Sequence, residues 1–193
     1  MIMQAEERRF YTPDEYFDFE VNSDTRHEYI NGEIIPMTGG TPEHNEIASI
    51  LNAALRMSLK GKPYSIFVAD QRLWIPDRNL YTYPDVMIVP RPLERQAGRN
   101  DTLTNPVMIA EVLSKSTKSY DRDEKFAAYR TIPTFQEYLL IDQYTCHVEQ
   151  YSRTESHKWI FTEYDEPETH ILLASIPFEL RLADLYEGIE FES

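Results

Sequence analysis

Two runs decide how this chain folds: Tyr83-Pro84-Asp85-Val86-Met87-Ile88-Val89 and Val107-Met108-Ile109-Ala110-Glu111-Val112-Leu113. Each is apolar, rich in strand-forming residues, and carries a single carboxylate. A lone ionised acid in apolar surroundings costs several kcal/mol, about what makes such groups shift their pKa or find a partner. Two acids on strands close enough in sequence to pair can share that cost by holding one hard divalent cation. Mg²⁺ takes oxygen ligands and keeps several waters, so two carboxylates, a main-chain carbonyl and a substrate phosphate would suffice. The competing reading is two acids that cap strand ends or pair with arginine.

The remaining elements are predicted outward from these runs. Thr12-Pro13-Asp14-Glu15 has the cap, the N1 proline and the first-turn acids of a helix start, and that helix ends near residues 21–23. Asn31-Gly32 between two strand-prone runs signals a hairpin, with Glu28 and Ile30 on one face, Tyr29 on the other, and Gly39-Gly40 closing the second strand. Thr41-Pro42-Glu43-His44 opens a longer helix in which Ile47, Ile50, Leu51, Ala54, Leu55 and Leu59 recur at helical spacing, until Gly61 and Pro63 stop it. Strands are predicted over 64–75, 81–89 and 107–113, with the polar stretch 90–106 as a mobile surface loop. A second helix spans about 120–130, followed by a strand at 137–142, a hairpin turning around 152–157, short strands near 171–174 and 178–182, and a last helical turn at 182–186. The order predicts an α/β fold: a mixed central sheet flanked by helices, with an N-terminal hairpin and a C-terminal β extension. Residues 1–11 read as a tail and 12–193 as a single domain.

Composition narrows the function. The chain has 193 residues, 41% apolar and 12% aromatic, the values of a globular protein with a full core. No apolar run approaches the roughly 20 residues needed to cross a bilayer. Met1–Arg9 has no apolar signal core, and Cys146 is the one cysteine, which excludes a disulfide framework. The expected location is cytoplasmic. A net charge of −14 opposes broad DNA coating, which depends on Lys and Arg at phosphates, but leaves room for a small metal-dependent site.

Further residues gather around the two acids. Arg122, Lys125, Phe126 and Tyr129 share a helical face, so Lys125 starts from the sheet side and its amine could reach the carboxylates. Its alternative is a solvated i,i+4 pair with Asp121. Glu28 on the hairpin and His44 in the first turn of the longer helix are weaker candidates, and a histidine there more often packs or hydrogen-bonds locally. Arg91, Arg95, Arg99, Lys115, Lys118 and Arg122 could form a basic rim or remain ordinary surface charge. Trp74 and Trp159 read as packing residues, and Cys146 as inert.

These residues, in this order, resemble a known family. Pro84-Asp85, Glu111-Val112-Leu113-Ser114, the run from Asp121 to Arg130 and Glu137-Tyr138-Leu139-Leu140-Ile141-Asp142 are similar to the Uma-type putative restriction endonuclease family, within the PD-(D/E)xK nuclease-like superfamily. The resemblance covers roughly residues 12–185. It implies a restriction-endonuclease-like core and a Mg²⁺- or Mn²⁺-dependent endonuclease that hydrolyses phosphodiester bonds in DNA. Asp85 and Glu111 would be metal ligands with the Val112 carbonyl, and Lys125 would assist. The sequence departs from the superfamily pattern at Leu113, where a lysine is usual; Lys125 is the natural stand-in. The alternative is a catalytically inactive nuclease-fold protein serving as a binding or dimerisation module. A homodimer is the expected assembly for cutting two strands.

Overall fold

The computed structural model describes residues 9–115, 117–155 and 157–191; most of the expected N-terminal tail, residues 1–8, and Ser156 of the expected turn lie outside them. Residues 9–11 are not loose. Tyr11 donates its N–H to the Gly32 carbonyl at 2.8 Å and accepts the Tyr29 hydroxyl at 2.9 Å.

Helix α1 (Pro13–Val21) starts with a complete capping box: Thr12 accepts from the Glu15 N–H, and Glu15 accepts from the Thr12 N–H at 2.8 Å. Strands β1 (His27–Ile30) and β2 (Glu33–Pro36) form the hairpin around Asn31-Gly32, both at positive φ as a tight turn requires. β2 ends at Pro36, short of Gly39-Gly40. Helix α2 (Pro42–Ser58) is capped by Thr41 and buries Ile47, Leu51 and Leu55.

Two expected strands are each broken in two. Residues 64–75 divide into β3 (Tyr64–Val68) and β4 (Arg72–Ile75) at Ala69, whose φ is +42°. After a 3₁₀ turn at Pro76–Arg78, residues 81–89 divide into β5 (Leu80–Thr82) and β6 (Val86–Pro90) around Pro84, which has no N–H to give a ladder. The stretch 90–106 is built rather than loose. It holds β7 (Thr102–Leu103), both residues buried, and the buried Asn105 ties the Glu94 N–H to the Pro92 carbonyl.

Strand β8 (Met108–Leu113) leads into one helix in three parts: α3 (Lys118–Tyr120), a π-helical turn at Asp121–Lys125, and α4 (Phe126–Tyr129). Then follow β9 (Glu137–Asp142), β10 (Val148–Glu155), β11 (Lys158–Tyr164), β12 (His170–Leu173), β13 (Phe178–Arg181) and α5 (Leu182–Leu185).

The sheets run β2-β1-β5-β4-β7 and β11-β10-β9-β8-β6-β3, with β12-β13 as a separate pair. Pairing is mixed: β8–β9 and β4–β7 are parallel and the other pairs antiparallel. The breaks at Ala69 and Pro84 are where the chain crosses between the two large sheets, since β3 and β6 lie in one while β4 and β5 lie in the other. The central strands of the six-stranded sheet, β6, β8 and β9, are buried on both faces. Met108, Ala110 and Val112 join α2 and α5 in one core, while Ile109 and Leu113 join Phe126, Tyr129 and β4 in a second. Each large apolar side chain so buried contributes about 1.5–3 kcal/mol. Glu111 shares the parity of Ile109 and Leu113, so its carboxylate is carried into the second core's edge.

Candidate functional site

Register brings the two acids together. Val86 pairs with Ala110 and Met87 with Ile109, so continuing that antiparallel ladder sets Asp85 opposite Glu111. The contact is reciprocal. The Asp85 N–H donates to Glu111 Oε2 at 3.2 Å, and the Val112 N–H donates to Asp85 Oδ2 at 2.8 Å. Asp85 lies where the chain has left β5 and not yet joined β6, so its side chain faces a cleft.

The π-helical turn supplies the cation. Asp121, Lys125 and Tyr129, each four residues apart, share the face of this helix that meets Glu111. The Lys125 ammonium is buried and lies 3.1 Å from Asp121, 3.2 Å from Glu111 and 3.5 Å from Glu28. The Tyr129 hydroxyl donates to Glu111 Oε1 at 2.6 Å. Glu28 comes from β1 and accepts the Thr82 hydroxyl. The i,i+4 pair of Asp121 with Lys125 therefore exists, but it is buried beside two further acids, Glu111 and Glu28, and not on a solvated face.

His44 reaches the same centre from the first turn of α2. Its Nε2 lies 3.1 Å from Asp85 Oδ2, so it is not the local packing residue that its position favoured. Burial pulls the imidazole pKa down, but the hydrogen bond and charge of Asp85 outweigh this and raise it. Burial pushes Asp85 up, yet His44 and Lys125 bring it below the usual carboxylate range. Glu111 goes the other way. Its burial, reinforced by Asp85 and Asp121, lifts it to about 8 despite Lys125. Burial opposes the charge on Lys125, but the surrounding carboxylates, Glu111 first, raise it well above an ordinary lysine.

Four carboxylates thus face one ammonium and one imidazole. The centre holds more acids than bases, and Glu111 is held against its own ionisation by burial first and then by Asp85 and Asp121, which together outweigh Lys125. A hard divalent cation fits this donor set. Among the described residues no three His, Cys, Asp or Glu side chains are gathered as a ready cage. The protein would therefore supply a carboxylate pair and a main-chain oxygen, with water and substrate completing the shell.

The cleft over these groups has a volume of about 820 Å³ and is also lined by Arg26, Lys115, Tyr120 and Tyr144. Of the six cations expected to form a basic rim, Lys115 alone lines it. Arg122 is bound to Glu149, which removes it from the face it was expected to share with Lys125. Lys118 pairs with Asp142 at 3.1 Å, and Arg99 grips Asp101 with two bonds at 2.7 and 2.8 Å. Arg91 donates to Ser65 and Arg95 to the Asn100 carbonyl. Trp74 stacks on Tyr81 and Trp159 packs edge-on to Phe126, both as expected of packing residues.

Sequence reasoning missed Arg26, Asp121, Tyr129 and Gln143. Asp121 and Tyr129 were legible as helical neighbours of Lys125, but not as partners in the site, because the Glu111 carboxylate that draws Lys125 and Tyr129 inward lies on another element. Gln143 joins distant parts, accepting the Thr41 hydroxyl at 2.7 Å and donating to the Leu113 carbonyl at 2.7 Å. It thereby fixes the cap of α2 to the end of β8, and nothing local in the sequence marks it.

Residues 13–184 match the model of the Uma2 family, described as "Putative restriction endonuclease". An uncharacterized protein of Synechocystis sp. is 40% identical over 162 residues, covering 84% of this chain and 92% of the relative. A second uncharacterized Synechocystis protein is 31% identical over 180 residues, 93% of each chain. Among solved structures, a "putative nuclease belonging to DUF820" from Anabaena variabilis superposes with a TM-score of 0.75 over 92% of this chain and 98% of that one, at 19% identity. That last likeness is one of fold: a mixed α/β, nuclease-like architecture.

Proposed function

The chain belongs to the Uma2 putative restriction endonuclease family, and from that premise we propose that it is a metal-dependent nuclease that hydrolyses phosphodiester bonds in DNA. The observation that carries this reading is the imbalance at the centre: Asp85, Glu111, Glu28 and Asp121 against Lys125 and His44. Asp85, Glu111 and the Val112 carbonyl would hold Mg²⁺ or Mn²⁺. When bound, such an ion supplies a Lewis acid and lowers the pKa of a coordinated water.

The chain's own groups do the rest. Lys125 is kept charged by three carboxylates, so it acts as an electrostatic group and not as a base. Its ammonium would orient the attacking water and offset charge that develops on the phosphate. Glu28 and Asp121 hold that ammonium from either side. Tyr129 fixes the rotamer of Glu111. Leu113, in place of the usual lysine, lies in the second core, and the 3.2 Å contact of Lys125 with Glu111 supports an indirect route to the same chemistry.

A second reading has its own support. The charge of −14 and the absence of lysine at position 113 also suit a non-catalytic binding or dimerisation module. One experiment separates them. DNA cleavage is assayed with Mg²⁺ and with Mn²⁺ for the wild type, Asp85→Ala and Glu111→Ala. Metal-dependent cleavage by the wild type, lowered at least about 100-fold in both variants, supports the nuclease. Equal cleavage by all three means contamination or another site. No cleavage, with no metal-induced rise in melting temperature, favours the module. A two-fold dimer would present one site to each strand of a duplex; light scattering on the full chain tests it.

A further inference from the structure

The cleft's size and walls say what kind of DNA it takes; this step rests on the nuclease reading above. Its volume of about 820 Å³ is that of a small-ligand pocket, enough to seat a nucleotide. One wall is apolar. Ile30, Ile35, Pro36 and Met37 line it from the N-terminal hairpin, and Ile35 is 39% exposed. Two half-buried tyrosines, Tyr120 and Tyr144, also line the cleft, with Lys125 over the first ring at 5.6 Å.

Charge points the same way. A duplex binder draws its affinity from many Lys and Arg contacts to phosphate. Here the cations that reach the cleft are few and partly engaged. Arg26 lies 3.5 Å from Asp70 and 4.0 Å from Glu20, Lys115 lies over the Tyr144 ring at 5.0 Å, and Lys125 is taken by three acids. Affinity must then come from the bases, whose faces an apolar and aromatic wall accepts without regard to sequence.

We propose that the cleft binds an unpaired nucleotide of a DNA strand, its base against the Ile35–Met37 wall and its phosphate toward the divalent cation that Asp85 and Glu111 would hold. Such a nucleotide is supplied by single-stranded DNA or by one extruded from a duplex. Intact duplex without a helix defect is then a poor substrate.

The test uses the full chain with fluorescein-labelled oligonucleotides in Ca²⁺, read by anisotropy, and the same DNA in Mn²⁺, read by cleavage. Three DNAs are compared: a single strand, its intact duplex, and that duplex with one unpaired bulge. The single strand or the bulged duplex should bind and be cut at least about tenfold better than the intact duplex. Preference for the bulge over the single strand identifies extrusion as the source, and the reverse identifies free single strands. The log–log salt slope of single-strand affinity should be shallow, about −1 to −2, as one or two phosphate contacts give. Ile35→Glu, at an exposed position, should weaken single-strand binding about tenfold with an unchanged melting temperature, and Ile35→Leu should restore it. If intact duplex is cut as well as the others and Glu111→Gln abolishes that cutting, this inference is overturned while the nuclease reading stands. If no DNA is cut in a Glu111-dependent way, both fall.

Discussion

Gly40 shows how little space the centre has. Its φ is not in the left-handed region, so alanine suits its backbone, but an added Cβ would meet His44 Nδ1 at 2.6 Å and Cγ at 2.9 Å. That Nδ1 is buried and makes no hydrogen bond, so nothing holds the ring on that side. Gly40→Ala should therefore swing the imidazole off Asp85 while leaving α2 intact. In the wild type, burial lowers the His44 pKa but Asp85 raises it further, to a net increase. A histidine raised on folding stabilises fully below its unfolded pKa of about 6.5, and that contribution disappears as pH rises through the higher folded value. Gly40→Ala should thus cost melting temperature near pH 5.5 and almost none near pH 9, an approximate window set by that linkage. An NMR titration of the His44 ring protons should show its pKa falling in the variant. An unchanged His44 titration would mean that the ring keeps Asp85 by another path.

The turn between β3 and β4 is the corresponding point in the backbone. Ala69 adopts φ +42° and donates its N–H to the Asp85 carbonyl at 3.2 Å, so the bend that splits the two sheets also seats the loop carrying Asp85. A left-handed alanine costs about 1–2 kcal/mol, whereas glycine there loses about 0.4–1 kcal/mol through its freer unfolded chain. Ala69→Gly should therefore stabilise by about 0.5–1 kcal/mol, a rise of roughly 1–4 °C in melting temperature. A fall would show that the strain is relieved by contacts of the methyl group. Ala69 also explains what the sequence concealed. Residues 64–75 read as one strand because Ala69-Asp70 carries neither glycine nor proline to announce a turn. By contrast, the cap of α2, the Asn31-Gly32 hairpin and the two-faced alternation of Met108–Leu113 were legible, since local chemistry alone sets them. Lys125 was legible from helical phase. Arg122 was not, because the carboxylate that claims it, Glu149, lies on β10, 27 residues away.

Charge ties the fold to the site. The chain carries −14 overall, and three of its buried acids, Glu111, Asp121 and Glu28, converge on Lys125 beside the half-buried Asp85. Such a centre is a cost to the metal-free fold, which the two cores around it must offset. Glu111 measures that cost. Burial first, then Asp85 and Asp121, raise its pKa from 4.5 to about 8. An acid raised on folding stabilises below its unfolded value, and that contribution is lost as pH climbs to the folded one. Metal-free protein should therefore lose stability between about pH 4.5 and pH 8 through this one group. Glu111→Gln removes the ionisation and keeps the shape. In metal-free buffer it should melt above the wild type near pH 8, by about 2–4 °C for each kcal/mol relieved, and the gap should close as pH falls toward 5. Saturating Mn²⁺ should reverse the order, because an ion that binds the folded wild type raises its melting temperature by mass action and has lost a ligand in the variant. Scanning calorimetry of both proteins, with and without Mn²⁺ at both pH values, checks all four points. A wild type that melts above the variant in metal-free buffer at pH 8 would mean that Lys125 already neutralises Glu111, and that the centre has no charge left for a cation to balance.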